Sequence, residues 1–259
     1  MVIPARYKEL NILLPERLAV EKVWTSVSDK VNDALILPDG RADLILKFML
    51  DDADRPYDIV PIIAGPSADY WFSPTIKRRG FVGLRFKPGF GGHFLRVPLA
   101  SIAGRAYSGA EALDLAPQLA NLCQPAGSIN ALIVRMERFF DDYAEAQISA
   151  ALVGVMNDMH LSGGRTTIQH LADDNGLTVR TLHRLFMRFV GLSPKTFAAI
   201  LRFHRALRLL TRAGLSPSHA ALEAGYADQA HMTRDFKRHG GFTPNSIPPD
   251  LVMAGLPLS

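Results

Sequence analysis

The hydrophobic positions change their spacing along this chain. Up to about residue 125 they come as short runs between turn residues: "ALILPDGRADLILKFML" (34–50), "IVPIIAGPSADYWF" (59–72) and "GFVGLRFKPGFGGHFLRVPL" (80–99). Pro38-Asp39-Gly40, Gly65-Pro66 and Pro88-Gly89 separate them as turns. Such runs, rich in Ile, Leu, Val and Phe, predict the strands of a small barrel or sandwich. From residue 126 the spacing becomes helical. Leu132, Met136, Phe139, Phe140 and Tyr143 form a stripe, and Gly163-Gly164 closes that region. These helices either cover the strands or serve as a connector that carries a signal or a dimer contact.

Further on, the helical spacing repeats. Ile168, Leu171 and Ala172 share one face, and Gly176 ends that helix by its freedom to take positive φ. Thr178 is placed to cap the next helix, where Leu182, Leu185, Phe186 and Phe189 make an apolar stripe that stops at Gly191. About fifty residues later Ala220, Ala221 and Ala224 pack, Gly225 turns, Asp228 caps, and Met232 and Phe236 face inward. Shifted by 50, Leu182 meets Met232, Arg184 meets Arg234, Phe186 meets Phe236, Arg188 meets Arg238, Gly191 meets Gly241, and Ser193-Pro194 meets Thr243-Pro244. Gly176 meets Gly225 at an offset of 49, so one residue is gained in the turn. Each unit is two short helices joined by a tight turn with a glycine, the helix-turn-helix plan.

Between the units lies "SPKTFAAILRFHRALRLLTRAG" (193–214). Ser193 caps it, Pro194 suits the first helical position, and Phe197, Ile200, Leu201, Leu207 and Leu210 give it an apolar side. A helix over 194–212 is about 28 Å long. That is close to the roughly 34 Å between successive major-groove faces on one side of B-DNA. The fold class expected is therefore α+β: a β-rich barrel or sandwich-like domain over 1–125, a helical connector over 126–162, and an all-α double helix-turn-helix domain over 163–259.

The outward faces change the picture from architecture to chemistry. The first unit leaves Arg180, Thr181, His183, Arg184 and Arg188 outside; the second leaves Gln229, His231, Thr233, Arg234, Lys237 and Arg238. Arg bonds guanine O6 and N7 in bidentate fashion, Gln does so with adenine, and Thr touches the thymine methyl. One such stripe is an ordinary solvated face; two, both on the second helix of their unit, point to a reader of duplex DNA. Charge agrees. Residues 1–150 hold 17 Lys and Arg against 18 Asp and Glu, whereas residues 151–259 hold 12 against 7, with seven of the eight histidines. The basic part favours a polyanionic partner.

The stretch from about Thr166 to Ile247 resembles the DNA-binding domain of the arabinose-regulator (AraC/XylS) family. The matching text is "LADDNGLTVRTLHRLFMRFVGLSP", "FAAILRFHRALRLL" and "AALEAGYADQAHMTRDFKRHGGFTP". The resemblance implies that the second helix of each unit enters a major groove. Carried over by position, it makes Arg180, His183, Arg184, Gln229, His231, Thr233 and Arg234 the base-reading residues. Arg188, Lys237 and Arg238 are expected on phosphates. Two departures stand out: "HAALEAG" replaces the usual Ile-Ala pair of the second scaffold helix, and "NSIPPD" replaces the Tyr-Arg after the final Pro. The first predicts weaker docking of the second unit, the second a short last helix. "LPDGRADLI", "AGP" and "VGLRFKPG" are similar to the sensor-like domain found ahead of this reader in one branch of the family. The resemblance implies DNA as partner, RNA polymerase beside it, and room for a small effector or a homodimer.

Enzyme chemistry finds little support in the residues. One histidine, His93, precedes residue 160, too few for a barrel metal site. Gly89-Phe90-Gly91-Gly92 lacks the Lys-Ser/Thr of a phosphate loop. No catalytic residue, metal or cofactor is therefore expected. Trp24, Trp71, Arg85 and His93 are the residues placed at an effector pocket, with Arg85 as its charged member. Cys123 is the sole cysteine, so no internal disulfide forms, and it lacks the metal-holding cysteines of a methyl-accepting repair protein. No apolar run reaches membrane-span length and "MVIPARYKEL" does not read as a signal peptide, so a cytoplasmic location is expected. The rival is a small-molecule-binding or catalytic barrel with a structural helical tail.

Overall fold

The computed structural model describes residues 7–10, 19–140, 148–249 and 251. Strands come first: β1 (Lys8–Leu10), β2 (Val20–Val27), β3 (Asn32–Ile36), β4 (Asp43–Leu50), β5 (Pro56–Ala64), β6 (Trp71–Thr75), β7 (Arg79–Phe86) and β8 (Ala106–Ser108). Short helices α1 (Gly91–Leu95) and α2 (Leu99–Ile102) precede β8; α3 (Ala110–Leu115), a 3-10 turn (Pro117–Leu122) and α4 (Ile129–Phe139) follow it. The rest is helical: α5 (Ala150–Ser162), α6 (Ile168–Asp174), α7 (Val179–Leu185) running into a π-helical turn (Phe186–Val190), α8 (Pro194–Thr211), α9 (Pro217–Ala224) and α10 (Gln229–Gly240). The α+β expectation holds, strands ahead of helices.

The strands make no closed barrel among the described residues. Six form an open antiparallel sheet in the order β1-β2-β7-β4-β5-β8, and β3 and β6 form a separate two-stranded ribbon. Alternation along β4 shows why one sheet suffices. Leu44, Leu46, Phe48 and Leu50 are buried, while Asp43, Ile45, Lys47 and Met49 between them are half-exposed. Helices, rather than a second sheet, cover the apolar face. Phe94, Leu95, Ala112, Leu132, Ile133, Met136 and Phe140 pack on it, with the Phe86 and Phe94 rings stacked at 5.6 Å. Helix α4 is thus a cover for the sheet. Helix α5, in the same stretch of sequence, lies in another core altogether, through Leu152, Val155, Met156 and Met159. Tyr143, the last member of the expected stripe, lies outside the described residues.

Two helical cores follow. The first joins α5 to Leu171 and Ala172 of α6, to Leu182, Phe186 and Val190, and to Phe197, Ala198 and Leu201 of α8. The second joins Phe203, Ala206 and Leu207 of α8 to the three alanines of α9, to Tyr226, to Met232 and Phe236 of α10, and to Phe242. Leu35, on β3, belongs to this second core too. Helix α8 is 18 residues long, about 27 Å at 1.5 Å per residue. Ser193 Oγ accepts the Thr196 N–H at 3.1 Å, and Pro194 stands at the first turn, where its missing N–H costs nothing.

Leu207 is fully enclosed between α8 and the second unit. Leu207→Ala is expected to destabilise the chain by about 2–5 kcal/mol, through lost burial and a residual cavity. Urea unfolding followed by circular dichroism measures this; an unchanged midpoint would contradict the packing.

Candidate nucleic-acid interface

Local rules build each unit. In the first, Thr167 Oγ1 accepts the His170 N–H at 3.2 Å and starts α6. Gly176, at φ +64°, makes the turn. Thr178 Oγ1 then accepts the Thr181 N–H at 3.1 Å and starts α7. Leu182, Phe186 and Val190 point inward. Arg180, His183, Arg184 and Arg188 are exposed, and the Arg188 guanidinium rests on the Phe189 ring, 5.0 Å from its centroid.

The second unit repeats this. Ser216 caps α9, Gly225 turns at φ +84°, and Asp228 Oδ1 accepts the His231 N–H at 2.6 Å. Gln229, Arg234, Lys237 and Arg238 are exposed. Ser218 Oγ donates to Gln229 Oε1 at 3.1 Å, which ties the scaffold helix to the tip of α10. Thr233 and His231 are half-buried: Thr233 Oγ1 donates to the Gln229 carbonyl at 2.8 Å, and the His231 ring packs edge-on against Tyr226, 5.1 Å between centroids. These two stand on the flank of the stripe rather than at its centre. Arg238 pairs with Asp69 at 3.2 Å, both well exposed. A short last helix is expected after "NSIPPD"; among the described residues no helix follows Pro244.

The four residues expected at an effector pocket do not converge. Trp24 and Arg85 lie on one sheet face, in register pairs Trp24–Gly83 and Lys22–Arg85. Trp71 is on the separate ribbon. His93 is on α1, edge-on to Phe94 at 4.9 Å, and so on the side of the sheet that the helices cover. Arg85 is not an open cation. It is nearly buried between Asp39, 3.1 Å away, and Asp43, 3.2 Å away. Arg41, also buried, pairs with Glu21. Burial pushes both Asp carboxyls up; in Asp39 the arginines Arg85 and Arg41 outweigh it and hold the group below its usual range, whereas Asp43 stays raised. The sequence carried a signal for this cluster in "LPDGRADL", where acid, base and acid recur every second residue inside an apolar run.

Sequence reasoning also missed two buried histidines. His204, on α8, reaches the Pro38 carbonyl with Nε2 at 2.6 Å, and His239, on α10, reaches the Ala68 carbonyl with Nδ1. A carbonyl only accepts, so each of these ring nitrogens carries the proton. Cys123 Sγ sits 3.5 Å from the Leu119 carbonyl, and burial pushes its thiol up. That disfavours the thiolate a methyl-accepting residue needs. Among the described residues no group of three His, Cys, Asp or Glu is placed to hold a metal, and no helix is long and apolar enough to cross a membrane.

Residues 171–247 match a family model described as a helix-turn-helix domain, and residues 17–108 match one described as a domain of unknown function (DUF6597). The HTH-type transcriptional activator RhaS of Escherichia fergusonii is 36% identical over 77 residues, 30% of this chain and 28% of that protein. The match thus spans under a third of its relative's length. Among solved structures, a probable AraC family transcriptional regulator from Rhodopseudomonas palustris is 29% identical and covers 37% of this chain and 92% of that one, with a TM-score of 0.34. ToxT from Vibrio cholerae covers 86% of this chain and 94% of that one at 13% identity and a TM-score of 0.41.

His204 supplies a direct check on the buried contacts. Desolvation lowers its pKa from 6.5 to about 4, outweighing the Pro38 carbonyl, which favours the charged ring. The neutral ring is therefore the one that fits. Its contribution to stability is complete above pH 6.5 and is lost as the pH falls from there through about 4. NMR titration of the ring is expected to find a midpoint near 4; a midpoint at 6.5 would mean the ring is solvated.

Proposed function

Taking as premise that the C-terminal part of this chain is an AraC-type helix-turn-helix domain, we propose that the protein is a sequence-specific, DNA-binding transcription regulator. The observation that carries this is the pair of matched basic stripes on α7 and α10, exposed at equivalent positions and joined by one buried strut. In this reading both helices enter major grooves on one side of the duplex, α8 setting their separation. Arg184 and Arg234, mates in the repeat, read base edges, with Arg180, His183 and Gln229 beside them and Thr233 and His231 on the flank. Arg188, Lys237 and Arg238 hold phosphates. The protein needs no catalytic residue for this, and it works where DNA is, in the cytoplasm. The N-terminal domain senses an effector or pairs with a second copy, and RNA polymerase is the machinery acted on.

Base and phosphate contacts predict different mutant signatures in the full chain. Arg184→Ala or Arg234→Ala should lose about 1–3 kcal/mol on the cognate site and relax preference at one base pair. Arg188→Ala or Lys237→Ala should weaken every sequence alike. Gel-shift titrations on cognate and random duplexes separate the two, and an Arg184→Ala variant that keeps the wild-type ratio would remove its reading role.

Salt dependence tests the partner itself. Each neutralised phosphate adds about −0.9 to the slope of log affinity against log salt. Fluorescence anisotropy across a salt series should give a steep negative slope. A slope near zero would favour the rival, a small-molecule-binding or catalytic N-terminal part whose helical tail is only structural.

A further inference from the structure

We infer that the N-terminal domain is a second brace between the two readers, fixing their relative placement together with α8. This rests on the reading of α7 and α10 as DNA readers, but its geometry is independent of DNA.

The domain meets the first unit, the strut and the second unit in turn. At the first unit, α2 packs on the π-helical turn at the end of α7, and the Leu99 backbone lies over Gly191. A Cβ on Gly191 would stand 2.8 Å from the Leu99 carbonyl carbon. At the strut, Gly40 lies against the Phe197 ring, where a Cβ would stand at 2.8 Å, and the Pro38 carbonyl accepts from His204. At the second unit, the Tyr70 ring covers Gly241, 2.6 Å from where a Cβ would be. Here the Ala68 carbonyl accepts from His239, Asp69 meets Arg238, and Leu35 enters the core.

Gly191 and Gly241 are mates in the repeat, each the left-handed cap of its reader, at φ +80° and +73°. The N-terminal domain thus grips equivalent points of both units, using Leu99 for one and the loop at Tyr70 for the other. A domain attached to one unit alone would leave the other free to move about α8. The exposed Arg238–Asp69 pair adds little. The close glycine contacts and the two buried histidine bonds hold the grip, because opening it strands buried donors and acceptors. Any change that shifts the loop at 66–70 relative to Leu99 therefore changes reader placement, and this is a mechanical route from the N-terminal domain to DNA.

The test uses the full chain in a Cys123→Ser background, with spin labels on Asp174→Cys of α6 and Leu222→Cys of α9, both exposed. Without DNA, pulsed dipolar spectroscopy should give one narrow distance. Tyr70→Ala combined with Asp69→Lys, both on the N-terminal side, should broaden it. Should that pair lose its helical circular dichroism, Tyr70→Ala alone, which uncovers Gly241, is the variant to compare. On DNA, inserting half a turn between the two contacted segments should cost the unaltered form about fivefold or more in affinity, at the low end of coupling between sites. The loosened variant should lose most of that penalty. A distance as narrow as the unaltered one, with the same penalty, would overturn the brace. Absence of sequence-specific binding by every form would instead sink the regulator reading, and the distances alone would then decide the brace.

Discussion

Helix α8 is buried against both helical cores at once, and the rest of the helical part is arranged by that constraint. Its N-terminal half gives Phe197, Ala198 and Leu201 to the first unit, and its C-terminal half gives Phe203, Ala206 and Leu207 to the second. Neither unit has enough apolar surface to enclose itself, since each scaffold helix has only seven or eight residues. An isolated helix of that length is marginal in water. Both units are completed only where they share α8, so the length and twist of one continuous helix enter directly into their relative placement.

The second unit shows how a poor core is completed. Its scaffold helix offers Ala220, Ala221 and Ala224 where larger residues would fill the space. The volume comes from elsewhere: Phe203, Phe236 and Phe242 meet at centroid distances of 5.0 to 6.4 Å, and Leu35 arrives from the ribbon of the N-terminal domain. Close packing requires such filling, because a void forfeits dispersion contacts on the walls around it. The small side chains of α9 thus go with a core that spans the two parts of the molecule.

The polar cluster beside α8 follows the opposite logic. Removing Arg85, Asp39 and Asp43 from water costs several kcal/mol per ion, and their attraction roughly offsets it. Asp39, in the loop at 37–42, is one of the two acids that hold Arg85, and the same loop carries both Pro38 and Gly40 to α8. The Arg85 side chain was legible as an oddity in an apolar strand, and the alternating charges of "LPDGRADL" as another, but not that the two meet. The acids that hold Arg85 stand on the neighbouring strand and in the turn before it, 42 and 46 positions earlier in the chain.

Local chemistry was open to reading because it needs only neighbours in the chain. The caps at Thr178, Ser193 and Asp228, the glycine turns, the inward Leu182, Phe186, Met232 and Phe236, and the basic outer stripes all depend on spacing within one or two helices. Spacing also gave strands in the first part, since alternation reports that one face is buried. It did not say what buries it, and a second sheet or closed barrel gives the same alternation as the helices that do. It could not divide α4 from α5, because an apolar stripe does not name its partner. Nor could it find the histidine bonds from His204 to Pro38 and from His239 to Ala68, which join residues more than 160 positions apart. A sequence fixes the periods of its own elements; which surfaces then meet is decided by packing, where one face has many apolar partners to choose from and only the folded chain selects among them.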